Sequence, residues 1–253
     1  MKIQLIRHAT LRIEIDDKVF LVDPMLSDAG IMPPIQNSGD GRRNPLVPLP
    51  VGIDDVLRGV NAVLVTHTHR DHWDQAATEV IPRNTRIICQ PEDARKFHDL
   101  GFEDVRPIYS AAIYGHVAIY RTEGRHGTRE IGKAMAPVSG FVLRSRAGEC
   151  VYIAGDTIWC LQVRDALMRY RPPYTIVNCG GARFTEGDPI TMTSGDVARV
   201  ATEAEFTRVI AVHMDSINHC RVTRAQLAAD LAGRDLCNRV VIPADGEILA
   251  IGS

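Results

Sequence analysis

A dense group of histidines directly follows an apolar segment, and it constrains this chain more than any other feature. Ala62-Val63-Leu64-Val65 has the pattern of a buried strand, and residues 67–72 then hold three histidines and one aspartate. Imidazole and carboxylate groups are the ligands that suit zinc and similar divalent cations. Unpaired ring nitrogens beside a core cost free energy unless something binds them. The pattern therefore predicts a metal site at the end of a buried strand, in preference to a histidine-rich surface turn.

The spacing divides these ligands into two groups. His67 and His69 are two residues apart, so in extended backbone both side chains project to the same side and can hold one ion. Asp71 and His72 follow where the chain turns into a helix suggested by residues 73–77, and they can reach a second ion. Two ions about 3.5–4 Å apart can activate a water and stabilise a developing oxyanion.

The pattern His67-x-His69-x-Asp71-His72 resembles the signature of the metallo-β-lactamase superfamily. The resemblance implies an α/β fold, an αββα four-layer sandwich of two mixed β-sheets with helices outside, and a metal site at one edge. It also asks for a His, an Asp and a His further along the chain, in that order. The sequence offers a candidate for each, so the resemblance covers nearly the whole chain.

The three later candidates each stand beside a strand-like segment. His126 follows such a segment, whereas its rival His116 precedes the same segment and would lie at its far end. Asp156 and His213 each come at the end of an apolar run. The resemblance then implies a complete set of seven ligands: His67, His69 and His126 for one ion, Asp71, His72 and His213 for the other, and Asp156 between the two.

This ligand set implies two divalent ions, with zinc or manganese as the metal. Both metals accept about five contacts, and none of the cysteines occupies a ligand position. Two cations lower the pKa of a bridging water from near 16 toward about 7, so a metal-bridging hydroxide is expected to attack the substrate at neutral pH. Asp71 is the expected catalytic residue, because it is placed to orient the hydroxide and to carry its proton to the leaving group.

Four residues outside the ligand set are predicted to face the substrate: His8, Arg43, Asn218 and His219. His8 lies in Arg7-His8-Ala9-Thr10, which resembles a Gly-His-Ala-Ser/Thr segment of the branch that includes L-ascorbate-6-phosphate lactonases and N-acylphosphatidylethanolamine phospholipases D, with Arg7 in place of glycine. A plain hairpin histidine is the alternative for His8. Asn218 and His219 follow His213 closely, so they belong to the same edge if that residue is a ligand.

Residues 27–50 are rich in proline, glycine and asparagine and show no periodic pattern. A loop of this length in a compact domain is usually functional or disordered. Two interpretations stay open, a lid over the metals and a contact between subunits. Arg43, within this loop, could meet an anionic substrate, although exposed arginines are more often solvated.

Composition limits the function further. The chain has 29 basic and 31 acidic residues, which gives no broad field for a nucleic-acid or membrane partner. Six scattered cysteines are typical of a reduced, cytoplasmic protein. The sequence shows no signal peptide and no apolar run long enough to span a membrane. We also find no interdomain linker, so residues 1–253 are expected to form one domain. The expected function is hydrolysis of a small ester, lactone or phosphoester, with a homo-oligomeric state left open. Two alternatives remain, a nucleic-acid phosphodiesterase and a non-catalytic metal-bearing sensor or binding protein on the same scaffold.

Overall fold

A computed structural model describes residues 1–135 and 137–251 of the chain. The β-strands in these residues are β1 Lys2–Arg7, β2 Thr10–Ile15, β3 Lys18–Val22, β4 Ala62–Val65, β5 Arg86–Cys89, β6 Val105–Pro107, β7 Ala111–Tyr114, β8 Val117–Glu123, β9 Ser139–Ser145, β10 Cys150–Ile153, β11 Tyr174–Asn178, β12 Arg208–Val212, β13 Val240–Val241 and β14 Ile248–Ala250. The α-helices are α1 Ile53–Leu57, α2 Gln75–Val80, α3 Ala94–Asp99, α4 Arg129–Ala134, α5 Leu161–Tyr170, α6 Ser194–Glu203 and α7 Arg224–Ala232.

The strands form two mixed sheets of seven strands each. The first has the order β14-β1-β2-β3-β4-β5-β6 and the second β13-β12-β11-β10-β9-β8-β7. Apolar side chains such as Phe20 and Leu64 from the first sheet and Phe141 and Ile176 from the second fill one buried cluster, because alternate residues of a strand face the same side. This cluster is the layer between the two sheets.

Helices cover the outer face of each sheet. The other side of the first sheet packs against Val56 of α1, Ala77 of α2 and Phe97 of α3. The outer side of the second sheet packs against α5, α6 and α7 in the same way, with Leu167 and Leu227 among the buried residues. The predicted αββα sandwich is therefore confirmed. Among the helices of the described residues, none combines the length and the apolar character needed to cross a bilayer.

Local sequence signals place several helix ends. Asp74 caps α2 by accepting a hydrogen bond from Ala77 N at 2.8 Å, so this helix begins two residues later than the suggested start at residue 73. The helical segment that starts at Pro91 begins as a 3₁₀ turn and becomes α3 only at Ala94. Thr193 and Asp196 form a reciprocal capping box at the start of α6.

The parallel strands determine where the polar residues meet. In the first sheet β3, β4 and β5 run parallel, and in the second β10, β11 and β12 do so. Carboxyl ends of parallel strands lie at the same edge of a sheet, and ligands usually bind there. Asp23 follows β3, His67 follows β4 by two residues, and Asp156 and His213 follow β10 and β12. One edge of the sandwich thereby collects all of them.

Candidate metal centre

Three of the predicted ligands form what we call the first cluster: His67, His69 and His126. His67 Nε2 lies 2.9 Å from His69 Nδ1, and His126 Nε2 lies 3.3 Å from the same atom. The three nitrogens therefore converge on a space that one cation can fill. His116, the rival of His126, is exposed in the turn between β7 and β8.

The second cluster consists of Asp71, His72 and His213. Asp71 Oδ2 lies 3.6 Å from His213 Nε2 and 3.9 Å from His72 Nε2, and all three residues are buried. His8 joins them, with its Nε2 atom 3.2 Å from the same carboxylate oxygen and its ring 3.6 Å from the ring of His213, centroid to centroid. His8 lies in the hairpin turn between β1 and β2, and its side chain is buried against this cluster.

Asp156 lies between the two clusters. Its Oδ2 atom is 3.5 Å from His126 Nε2 and 3.3 Å from His72 Nε2, and its Oδ1 atom is 3.2 Å from His213 Nε2. One carboxylate therefore faces both clusters with two oxygens, as an ion-bridging ligand requires. All seven predicted ligands are brought together at this edge.

The two clusters differ in electrostatics. In the first, burial together with the neighbouring His72 holds the pKa of His67 well below its usual value, and burial lowers the pKa of His126 to about 4. In the second, burial alone would lower the pKa of His72, but Asp156, Asp23 and Asp71 together outweigh it and raise that pKa to about 10. The pKa of His213 is raised too, since Asp156 opposes the effect of burial.

Four of the five ligand histidines have a partner for the ring nitrogen that faces away from the clusters. His72 Nδ1 lies 2.8 Å from Asp23 Oδ2, and His126 Nδ1 lies 2.8 Å from Ile190 O. Such partners fix the tautomer and leave the inner nitrogen free for a metal. Sequence reasoning missed Asp23, although it ends the apolar run Phe20-Leu21-Val22 just as Asp156 ends its own. It also missed Asn178, which donates a 2.7 Å hydrogen bond to Asp156 Oδ1.

The other residues predicted to face the substrate have separate positions. Asn218 is buried and holds residues 35–44, since its side chain accepts from Ile35 N and donates to Ser38 Oγ. His219 is buried beside Phe184 with a ring-centroid distance of 6.3 Å, and its Nδ1 atom lacks a partner among the described residues. Arg43 donates to two carbonyls of its own loop, Gly30 O and Ile31 O.

Residues 27–50 are fastened to the metal edge. Leu46 N donates to Ser216 O at 2.7 Å, Thr185 N donates to Asn37 O at 2.6 Å, and Asn44 and Asn218 exchange hydrogen bonds. The buried Arg7 holds the start and end of the loop by donating to the carbonyls of Met25, Ser27 and Val47. These contacts hold the loop in a fixed position beside the residues that follow His213.

The chain matches a family model and several known proteins. A model described as a beta-lactamase superfamily domain matches residues 18–214. YddR of Bacillus subtilis is 32% identical over 250 residues, with 98% of each chain covered. A metal-dependent hydrolase of Methylocella silvestris is 26% identical over 193 residues, which are 74% of this chain and 75% of that protein.

Two solved structures are similar over their full length. An isothiocyanate hydrolase from Delia radicum gut bacteria is 35% identical, covers 100% of both chains and superposes with a TM-score of 0.95. A possible metal-dependent hydrolase from Veillonella parvula is 32% identical, covers 99% of both chains and has a TM-score of 0.96.

Proposed function

This chain belongs to the beta-lactamase superfamily and is a metal-dependent hydrolase, and from that premise we propose that it binds two divalent ions, zinc or manganese, and hydrolyses a small carbon electrophile. One observation carries the proposal for the ions. His72 Nε2 and His213 Nε2 are buried, face two carboxylates, and have no hydrogen-bond partner among the described residues. Buried polar atoms without partners are costly, and a cation bound there would satisfy both.

The residues present fit two ions. His67, His69 and His126 would hold one, Asp71, His72 and His213 the other, and Asp156 would contact both. Nitrogen and oxygen ligands without sulfur suit zinc and manganese alike. When bound, a pair of such ions lowers the pKa of a water to near 7 and polarises the atom that gains charge.

Asp71 is the proposed catalytic residue. Burial alone would raise its pKa, but His72, His213 and His8 outweigh burial and hold the pKa well below its usual value. The carboxylate is therefore anionic at neutral pH, so it can accept a hydrogen bond from an attacking water and orient it. His8, which is 3.2 Å away, holds the position of this carboxylate.

The proposed substrate is small and uncharged, with an electrophilic carbon. The loop 27–50 is held in place beside the residues that follow His213, which favours a compact molecule. The similarity to the 35% identical isothiocyanate hydrolase suggests isothiocyanates as a specific class of substrate. Water plus an isothiocyanate, R–N=C=S, gives an amine and carbonyl sulfide, a balanced hydrolysis that needs a water activated next to a polarised sulfur. Esters and lactones require the same attack on carbon, and phosphoesters are the second candidate class.

Metal analysis combined with a substrate panel tests this proposal. The wild type, His126→Ala and the matched control His116→Ala are analysed for metal and assayed on an isothiocyanate, a lactone, an ester and a phosphodiester. We expect about two ions per chain in the wild type and in His116→Ala, and loss of metal and activity in His126→Ala. Wild-type protein without stoichiometric metal, or equal behaviour of the two variants, contradicts the proposed centre. Turnover of the phosphodiester alone contradicts the proposed substrate class.

A further inference from the structure

The outer nitrogens of four ligand histidines have four chemically different partners. His72 contacts the carboxylate of Asp23, His126 the carbonyl of Ile190, and His67 the hydroxyl of Thr66 at 3.1 Å. The partner of His213 is a thiol, since Cys220 Sγ lies 3.6 Å from His213 Nδ1. The outer nitrogen of a metal-binding histidine usually has an oxygen partner, so a sulfur partner at this position is unusual.

The backbone at Gly180 leaves space for this sulfur. A Cβ at Gly180 would lie 2.7 Å from Cys220 Sγ and 2.2 Å from the carbonyl oxygen of His213, so only glycine fits at that position. Cys220 is held by its N–H, which donates to Ile217 O at 3.1 Å. Gly180 lies two residues after Asn178, the last residue of β11, so the chain leaving this strand shapes the contact.

His213 depends on such contacts more than the other ligands do. Its φ is 72°, a left-handed conformation that is unfavourable for a residue with a side chain. Its N–H donates to His8 O at 2.9 Å, and one face of its ring packs on the ring of His8. Cys220 contacts the ring at the edge opposite the metal-facing Nε2 atom.

We propose, on the basis of the two-ion centre of the proposed function, that Cys220 is a positioning residue whose sulfur accepts the Nδ1–H of His213. This bond favours the tautomer in which Nε2 carries no proton and is free for the second ion. Cys220 is not itself a ligand, since it is absent from each group of converging ligand atoms found in the described residues. The sulfur thus sets the affinity of one ion while leaving the other unaffected.

Competition titrations of metal-free protein with Zn²⁺ or Co²⁺ measure the affinity of each ion separately. We expect Cys220→Ala to weaken the second ion by about 10–100-fold and to leave the first unchanged, because removal of an outer partner has this typical effect. Cys220→Ser, which retains an acceptor, should recover most of the affinity. Cys150→Ala, which removes a buried thiol of β10, is the matched control and should bind both ions like the wild type.

A nitrogen-15 spectrum of the zinc protein gives a second readout: the Nδ1–H signal of His213 should shift in Cys220→Ala and stay unchanged in Cys150→Ala. A Cys220→Ala protein with wild-type affinity for the second ion, equal weakening of both ions, or an unshifted Nδ1–H signal overturns the inference. Wild-type protein that binds fewer than two ions overturns the proposed centre instead, so the two failures are distinguishable.

Discussion

The two clusters use the same side-chain chemistry but present opposite electrostatic environments to a cation. In the first cluster, burial leaves His67 and His126 without protons near neutral pH, and no carboxylate belongs to the cluster itself. In the second, carboxylates surround His72 and His213 and raise the pKa of both. Without metal, the second cluster therefore holds protons in the positions that a cation would take. Metal and proton compete there, and they do not compete in the first cluster.

Asp156→Asn is expected to have the largest effect, because this residue is the one that faces both clusters. It removes the charge and one metal-binding oxygen, and it leaves an amide N–H near His72 and His213. We expect loss of both ions and an activity loss greater than the ~10–100-fold typical of an outer partner. Asn178→Ala, which removes only the 2.7 Å hydrogen bond to Asp156, is the control with the smaller expected loss. An Asp156→Asn enzyme with two ions and high activity would show that the clusters are independent.

The pH dependence of metal affinity tests the electrostatic difference directly. The pKa of His72 in the metal-free protein is raised to about 10, so below that pH a cation must displace its proton. Affinity for the second ion should rise with pH between 7 and 9, by up to about tenfold per unit for each proton released, whereas affinity for the first ion should stay nearly constant. Calorimetry in buffers of different ionisation enthalpy counts the protons. Equal pH slopes for the two ions would remove the proposed distinction.

The same pKa shift predicts the stability of the metal-free protein. A histidine whose pKa is raised on folding contributes stability that is complete below its unfolded value near 6.5 and is lost as the pH rises through the folded value. Metal-free protein should therefore melt at lower temperature as the pH rises from 7 to 10, and metal-loaded protein should change less. Asp23→Asn removes one of the carboxylates that raise the pKa of His72, and it should shift the decline to lower pH. A decline that is identical with and without metal would contradict this assignment.

Gly180→Ala is expected to disturb the second cluster alone. The added Cβ would lie 2.2 Å from His213 O, so the end of β12 or of β11 must shift. Overpacking of this kind typically costs about 1–3 kcal/mol of unfolding free energy, and the second ion should be the one that weakens. Gly41→Ala is the control, since its Cβ would meet nothing within 4 Å. Chemical denaturation measures the loss of unfolding free energy, and metal titration measures the affinity for each ion. Full retention of the second ion would mean that His213 tolerates displacement.

The ligands could be predicted from the sequence because each follows an apolar strand, and parallel strands bring their carboxyl ends together. His67, Asp156 and His213 show this pattern within a few residues of chain. The outer partners could not be predicted in the same way. Cys220 meets His213 beside Gly180, which lies two residues after the end of another strand, and this contact has no local signature.

Long-range contacts also explain what the sequence left open or missed. Arginine side chains are mostly exposed, yet Arg7 is buried and donates to carbonyls that lie 18 to 40 residues away along the chain. The strands β5, β6 and β7 have only three or four residues each, too few for a clear alternating pattern. The position of residues 27–50 depends on Asn218, 174 residues from Asn44, so composition alone could not separate a cover from a subunit contact.

Arg43→Gln should have the smallest effect, and it tests whether the metal edge recognises charge. The Arg43 guanidinium donates to Gly30 O and Ile31 O at 2.6 Å, so its hydrogen bonds serve the loop and not the clusters. Exposed surface substitutions usually change stability by no more than about 0.5 kcal/mol, and we expect kcat and KM within about twofold of the wild type for neutral substrates. Arg42→Gln, whose side chain pairs with Asp40 in the same loop, is the matched control. If Arg43→Gln alone raised KM for an anionic substrate, the loop would contribute to substrate selection. The prediction that Arg43 binds an anionic substrate would then be supported, and the proposal of an uncharged substrate would be contradicted.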